Sequence, residues 1–335
     1  MVLENSRLRV SVLVDKGTDI FELLYKPMDV DFMYRAPAGV RNPATFVPSI
    51  PNAAGAYLDF WEGGWQEAFP IGGWGCSYKG AAFGLHGEVS LMPWQHTIIE
   101  DDVEHIAAYF WVRTCRSPFL LKKVISLKAD EPILRIWERV TNEGSVDMDF
   151  MWGQHPAIGP PFLGGDCEIT TSASTVIIPD PSSWPASRLK EGTYQWPLAV
   201  DHSGQAVDIS RIASPDAGIA EAAYLTDLKD GWFAITNARH QLVLAMHWPR
   251  EVYPWIWFWH AAGGERNAPF YGRNYCVALE PFTSFPPDFE KARAAGTHKT
   301  LTPQQSLEVE LTASVFPAEG KVQSVTSEGE IVFKK

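Results

Sequence analysis

Leu307-Glu308-Val309-Glu310-Leu311-Thr312-Ala313-Ser314-Val315 alternates without a slip, with apolar side chains on one parity and glutamate, threonine or serine on the other. Successive side chains of an extended backbone point to opposite faces, so this pattern is a strand with one buried face and one wet face. The same period recurs at Leu8, Val10, Val12 and Val14, and again at Val146, Met148, Phe150 and Trp152 around Asp147 and Asp149. Further strands are expected over 20–25, 106–114, 121–127, 133–141, 232–237, 241–248 and 275–279. Each is short, rich in β-branched and aromatic residues, and bounded by Gly, Pro, Asn or Asp. Asn142-Glu143-Gly144 reads as a hairpin turn with Gly144 free to take positive φ. Only 288–295 reads as a helix, capped by Asp288 and stopped at Gly296. Many strands with almost no helix between them predict an all-β chain, a large antiparallel sandwich rather than a parallel α/β fold. The Pro- and Ser-rich tract 179–197 separates two halves of like composition, so one domain over 1–335 is the simplest account.

Composition narrows the function classes. The 335 residues carry 28 Lys+Arg against 40 Asp+Glu, a net charge of −12, with 46% hydrophobic content that argues for a packed core. No basic run exceeds Lys122-Lys123, which disfavours nucleic acid as a partner. No 18-residue apolar stretch exists to span a membrane, and Glu4, Arg7 and Arg9 stand where a signal peptide needs apolar residues. Cys76, Cys115, Cys167 and Cys276 form no Cys-x-x-Cys pair and read as buried thiols of a reducing, cytoplasmic compartment, with two disulfides left open. Exposed edge strands permit a homodimer as readily as a monomer.

Three islands break the alternation with titratable residues set among Gly, Pro and Trp. They are Trp61-Glu62-Gly63-Gly64-Trp65-Gln66-Glu67 with the later Gly84-Leu85-His86-Gly87, then Trp152-Gly153-Gln154-His155-Pro156, then Trp255-Ile256-Trp257-Phe258-Trp259-His260 with Leu279-Glu280-Pro281. Indole faces beside a few acids and imidazoles suit a sugar, whose apolar ring face stacks while its hydroxyls find polar partners. His155 closes a strand before a proline that forces an extended exit. Glu280 ends an apolar run, where a carboxylate costs desolvation unless it has a partner or a task. Each of these residues taken singly also fits a purely structural role. Zinc-type ligand spacing, a nucleophile elbow and a phosphate-cradling glycine loop are all missing.

In this order, Leu85-His86-Gly87 with Pro93-Trp94, His155-Pro156 and Leu279-Glu280-Pro281 resemble the aldose 1-epimerase, or galactose mutarotase-like, family over roughly residues 5–316. The resemblance implies a large antiparallel β-sandwich of the galactose mutarotase-like type, which agrees with the pattern reading. It implies Glu280 as catalytic base, His155 as catalytic acid and His86 as a histidine contacting the sugar. Asp227 falls where a substrate-binding Asp would stand. Trp65, Glu67, Trp259 and His260 complete the candidate substrate-binding set. Two departures from the galactose-type pattern stand out: no Arg occurs between Trp61 and Gly84, and Gln154 takes the place of the Asn before the His-Pro pair.

The implied reaction interconverts the α and β anomers of a free monosaccharide. The C1 hydroxyl loses a proton while the ring oxygen gains one, which requires a base and an acid on either side of the C1–O5 pair and no cofactor or metal. Mutual attraction would favour a Glu280 carboxylate facing a His155 imidazolium. Two other readings stay open. One is a metal-dependent sugar isomerase, with His86, His155, His260 and Glu280 as ligands. The other is a carbohydrate-binding sandwich that uses its tryptophans as platforms without turnover.

Overall fold

The alternating 307–315 stretch lies inside the Ser306–Pro317 strand, whose Val309, Leu311, Ala313 and Val315 are buried. The structure, a computed structural model, describes residues 1–45 and 53–334. Ser306–Pro317 runs between Leu242–His247 and Ile133–Asn142 in an eight-stranded sheet. That sheet continues through Trp232–Asn237 to Cys167–Thr171 on one side, and through Phe119–Lys128 and His105–Arg113 to the exposed edge Gln95–Asp101 on the other. The opposite face of Ser306–Pro317 is drier than its sequence suggests. The C-terminal hairpin, Val322–Val325 with Ile331–Phe333, comes back towards it, and Ser314 donates a 2.6 Å hydrogen bond to the Gly329 carbonyl.

An eleven-stranded antiparallel sheet forms the second layer. Its central strands, in spatial order, are Asp19–Tyr25, Trp65–Ala68, Gly153–Ile158, Tyr275–Phe282, Trp255–Ala262 and Ile219–Thr226. One hydrophobic cluster joins the two sheets, with Val10, Leu23 and Phe258 from one layer and Phe110, Leu121, Ile136 and Leu311 from the other. The sandwich expected from the alternation is therefore present. Its interior also holds ions: Lys123 Nζ lies 2.8 Å from Glu67 and 3.1 Å from Glu138. Desolvation, reinforced by the Glu67 charge, pushes the Glu138 carboxyl up to about 8.

Most expected elements lie within a residue or two of the observed ones, including the helix Phe289–Ala295. Asp288 caps it by accepting from Lys291 N, and Gly296 ends it at φ 67°. Four expectations need correction. The stretch 146–152 is not one strand: Met148–Phe150 pairs with Lys299–Leu301, and the chain then enters the large sheet as Gly153–Ile158. Gly144 has no positive φ, because Asn142 Oδ1 accepts from its N–H and closes the turn instead. Many strands go unforeseen, among them Trp65–Ala68, Trp255–Ala262 and Ile219–Thr226 of the large sheet and Gln95–Asp101 and Cys167–Thr171 of the other, as does the helix Ala53–Phe60; in Ile219–Thr226 an Ala-rich sequence carries helical propensity that sheet pairing overrides. All four cysteines are free, but only Cys167 and Cys276 are buried; Cys115, in the turn after His105–Arg113, is exposed.

Candidate active site

Strand register alone assembles the site. Gly153 pairs with Phe282 and Ala157 with Ala278, which sets His155 opposite Glu280 on adjacent strands. On either side, His155 pairs with Gln66, Glu280 with Trp257, and Trp257 with Tyr224. Five strands thus contribute one transverse row, Gln66–His155–Glu280–Trp257–Tyr224, on one face of the sheet. The next row is Ala157–Ala278–Trp259–Ala222. Ala222 there lines a hollow beside Trp259 that a larger side chain would fill, while Ala157 packs in a cluster with Tyr34 and Trp61.

Around that hollow is a cavity of about 200 Å³, with Tyr57, Trp61, Trp259 and Phe270 among its aromatic walls and His86, His155, Glu265 and Glu280 as its titratable groups. Trp61 packs edge-on against both Trp259 and Phe270, with ring centroids 5.6 Å apart in each case. Trp61 Nε1 donates to Gln66 Oε1 at 3.0 Å, so the row's outermost member holds the cavity wall in place. The Trp259 Nε1–H and the Tyr57 hydroxyl are buried without a partner among the described residues, and their hydrogen-bonding capacity is unspent.

His155 Nε2 lies 3.5 Å from Glu280 Oε1, both side chains being nearly buried. Burial pushes the Glu280 carboxyl well above the usual carboxylate range. Burial also takes the His155 imidazole down to about 3, with the neighbouring His86 adding to the fall. The expected ion pair is therefore opposed by desolvation, which favours the uncharged forms of both groups. The proton count is unchanged, since a neutral imidazole beside a protonated carboxyl and an imidazolium beside a carboxylate each hold one proton.

His86 enters from the loop between the strand Ala81–Phe83 and the helical turn Val89–Leu91. Its backbone takes φ 58°, and Gly87 follows at φ 81°, where an added Cβ would stand 2.1 Å from the Phe69 carbonyl oxygen. Glycine is required there by both conformation and space. The His86 ring stands 5.1 Å from that of His155. Its Nδ1 bonds to the Gly72 carbonyl, which fixes the proton on Nδ1 and leaves Nε2 as an acceptor. Burial lowers its pKa to about 4, so it is neutral.

The profile of a protein family described as Domain of unknown function (DUF4432) matches residues 1–315. The chain belongs to the DUF4432 family. No curated protein matches it by sequence. Among solved structures, this DUF4432 chain superposes on a Klebsiella pneumoniae protein proposed to be an aldose 1-epimerase, with a TM-score of 0.69, 16% identity, 92% of this chain and 76% of that one. A galactose mutarotase related enzyme from Lactobacillus acidophilus gives 0.63 at 15% identity, covering 95% and 98%. A galactose mutarotase-like protein from Clostridium acetobutylicum gives 0.61 at 14% identity, covering 94% of each. The DUF4432 chain has the galactose mutarotase-like fold.

Of the residues singled out from sequence, His86, His155, Trp259 and Glu280 meet in the cavity. Four do not. Trp65 and Glu67 share the parity opposite to Gln66 and point between the sheets, where Trp65 Nε1 donates to Gln154 and Glu67 binds Lys123 and Trp152. His260 follows Trp259 and so faces away from the cavity, on the side of Glu221, its cross-strand partner. Asp227 is exposed in a turn at φ 55°, bonded to Thr175, and does not line the cavity. Gln154 also points inward, donating to Glu138, so its departure from the family's Asn alters the core rather than the cavity. With His260 turned away, the set His86, His155, His260 and Glu280 does not converge, and among the described residues no group of three or more His, Cys, Asp or Glu side chains is placed to hold a metal. Sequence reading missed Tyr57, Trp61, Trp184, Glu265 and Phe270 as cavity residues. Of these, Trp61 stood in a quoted island, and the others lie on segments without a period.

Proposed function

We propose that the protein is an aldose 1-epimerase acting on a free sugar, with His155 and Glu280 exchanging the protons. The observation that carries this is the 3.5 Å approach of an imidazole and a carboxyl in an aromatic-walled cavity. A pyranose set against the indoles places C1–O5 beside this pair. Ring opening moves one proton from the C1 hydroxyl to one member while the other member protonates the ring oxygen. The pair passes from its neutral to its ionic arrangement, or the reverse, and rotation about C1–C2 followed by closure on the other face restores it. No net proton leaves the site. His86, neutral with Nε2 free, accepts from a neighbouring hydroxyl and orients the ring.

Polarimetry on freshly dissolved α-glucose, α-galactose and related sugars tests this reading. The expected result is an approach to anomeric equilibrium that scales with protein concentration above the buffer blank. Rates equal to the blank for every aldose tried would overturn it.

A further inference from the structure

Two carboxyl groups line the cavity, those of Glu280 and Glu265, and among the described lining residues there is neither lysine nor arginine. The sequence of residues 46–52, Phe-Val-Pro-Ser-Ile-Pro-Asn, contains no Lys or Arg. An anionic ligand buried here would lose its hydration without gaining a cation, which costs several kcal/mol.

The two acids enter from different places. Glu280 is in register with Trp257, whereas Glu265 follows the end of that strand at Ala262, which pairs with Tyr275. About 17 Å of strand separates those two register positions. Asn274 Nδ2 donates to Glu265 Oε2 at 2.6 Å, and Asn274 is itself held by the Tyr34 hydroxyl. Glu265 Oε1 has no partner among the described residues, so one oxygen is anchored and the other is free. Phe270 and Trp259 stand on the same cavity wall.

We propose that Glu265 is the specificity residue of this cavity: its free oxygen takes a hydroxyl of an uncharged sugar away from the reacting carbon, and an acid-bearing lining without Lys or Arg among its described residues bars phosphorylated and carboxylated sugars. This rests on the sugar-site reading above and adds to it the class of sugar. Burial raises the Glu265 carboxyl to about 7, so it accepts from a hydroxyl when ionised and donates to one when protonated, and once ionised it repels an anion.

Binding of methyl glycosides, followed by quenching of the cavity tryptophans, tests this apart from catalysis, because a methyl glycoside cannot open. The probes are the methyl glycosides of glucose, galactose, mannose and fucose, with the 6-phosphate and 6-carboxylate forms of whichever hexoside binds. The full-length wild type is expected to bind at least one uncharged glycoside, and its anionic forms about tenfold or more weakly. Glu265→Ala is expected to lose about tenfold in affinity for the uncharged glycoside. Glu265→Gln, which keeps the Asn274 contact, is expected to recover most of that affinity and to narrow the neutral-to-anionic gap by about threefold or more. The proposal is overturned if anionic forms bind as tightly as neutral ones, if no glycoside binds, or if neither variant alters selectivity or affinity. Glu265-dependent binding without any mutarotation would remove the epimerase reading and leave this one standing. Mutarotation that prefers a sugar phosphate would do the opposite.

Discussion

Varying pH at saturating sugar probes the one-proton state of the His155–Glu280 pair. The structure moves the two groups apart: burial pushes Glu280 well above its usual range and takes His155 down to about 3. The pair gains a second proton only near that lower value, and it loses its single proton only as pH passes the raised carboxyl. Exposed Glu and His side chains, titrating near about 4.3 and 6.5, would hold one proton over only about two pH units, and their rate would fall roughly tenfold between about pH 5.5 and 7.5. The expectation here is a kcat that changes less than about twofold between about pH 5 and 7.5. NMR exchange of anomer signals at saturating sugar, with the buffer blank subtracted, provides the measurement. KM is free to vary around neutrality, because Glu265 titrates at about 7 in the same cavity. A bell in kcat centred near about pH 5.4 would refute the electrostatic reasoning, since it would mean that neither group feels its burial.

Lys123→Met leaves Glu67 and Glu138 buried without their shared cation, and urea unfolding should show a loss of about 3–5 kcal/mol; a loss under about 1 kcal/mol would mean the trio is not structural. Gly87→Ala places a Cβ against the Phe69 carbonyl at positive φ and should displace His86, lowering kcat/KM about tenfold or more with a measurable drop in thermal midpoint. Ala222→Leu fills the hollow beside Trp259 and should weaken sugar binding about tenfold or more, while near-UV circular dichroism keeps the wild-type signature.

Legibility of the sequence follows exposure. Ser306–Pro317 could be read because its early part has one wet face, and Phe289–Ala295 because its caps are side chains with a mechanism. Trp65-Gln66-Glu67-Ala68 could not be phased, because all four residues are buried and no polar parity marks the face. The result was an error of one residue: Trp65 and Glu67 were expected to line the site, yet they point between the sheets, and Gln66 on the other parity holds the cavity residue Trp61. His260 fails in the same way on a strand dry along most of its length, where Trp259 is the residue that faces the cavity. Glu280 and His155 were legible as polar residues set before a Pro, but both were expected at strand ends and lie inside Tyr275–Phe282 and Gly153–Ile158, which continue through the prolines. Their direct opposition depends on a register between residues 125 positions apart, which no local pattern encodes. The hollow beside Trp259 is lined by Ala222, whose smallness has no signature until the register sets it next to that indole. Glu265 and Phe270 sit on an irregular loop that only the folded hairpin brings round.

The pairing of residues 155 and 280 is best tested by replacing the carboxyl alone. Glu280→Gln preserves size and hydrogen-bonding shape but cannot carry the shuttled proton. Two-dimensional NMR exchange between the anomers of the best sugar, run on wild type and variant at equal concentration, should show the protein-dependent rate fall by about 10²–10⁴ with sugar affinity nearly kept. An exchange rate in the variant equal to that of wild type would remove Glu280, and with it the account of the site, from the chemistry.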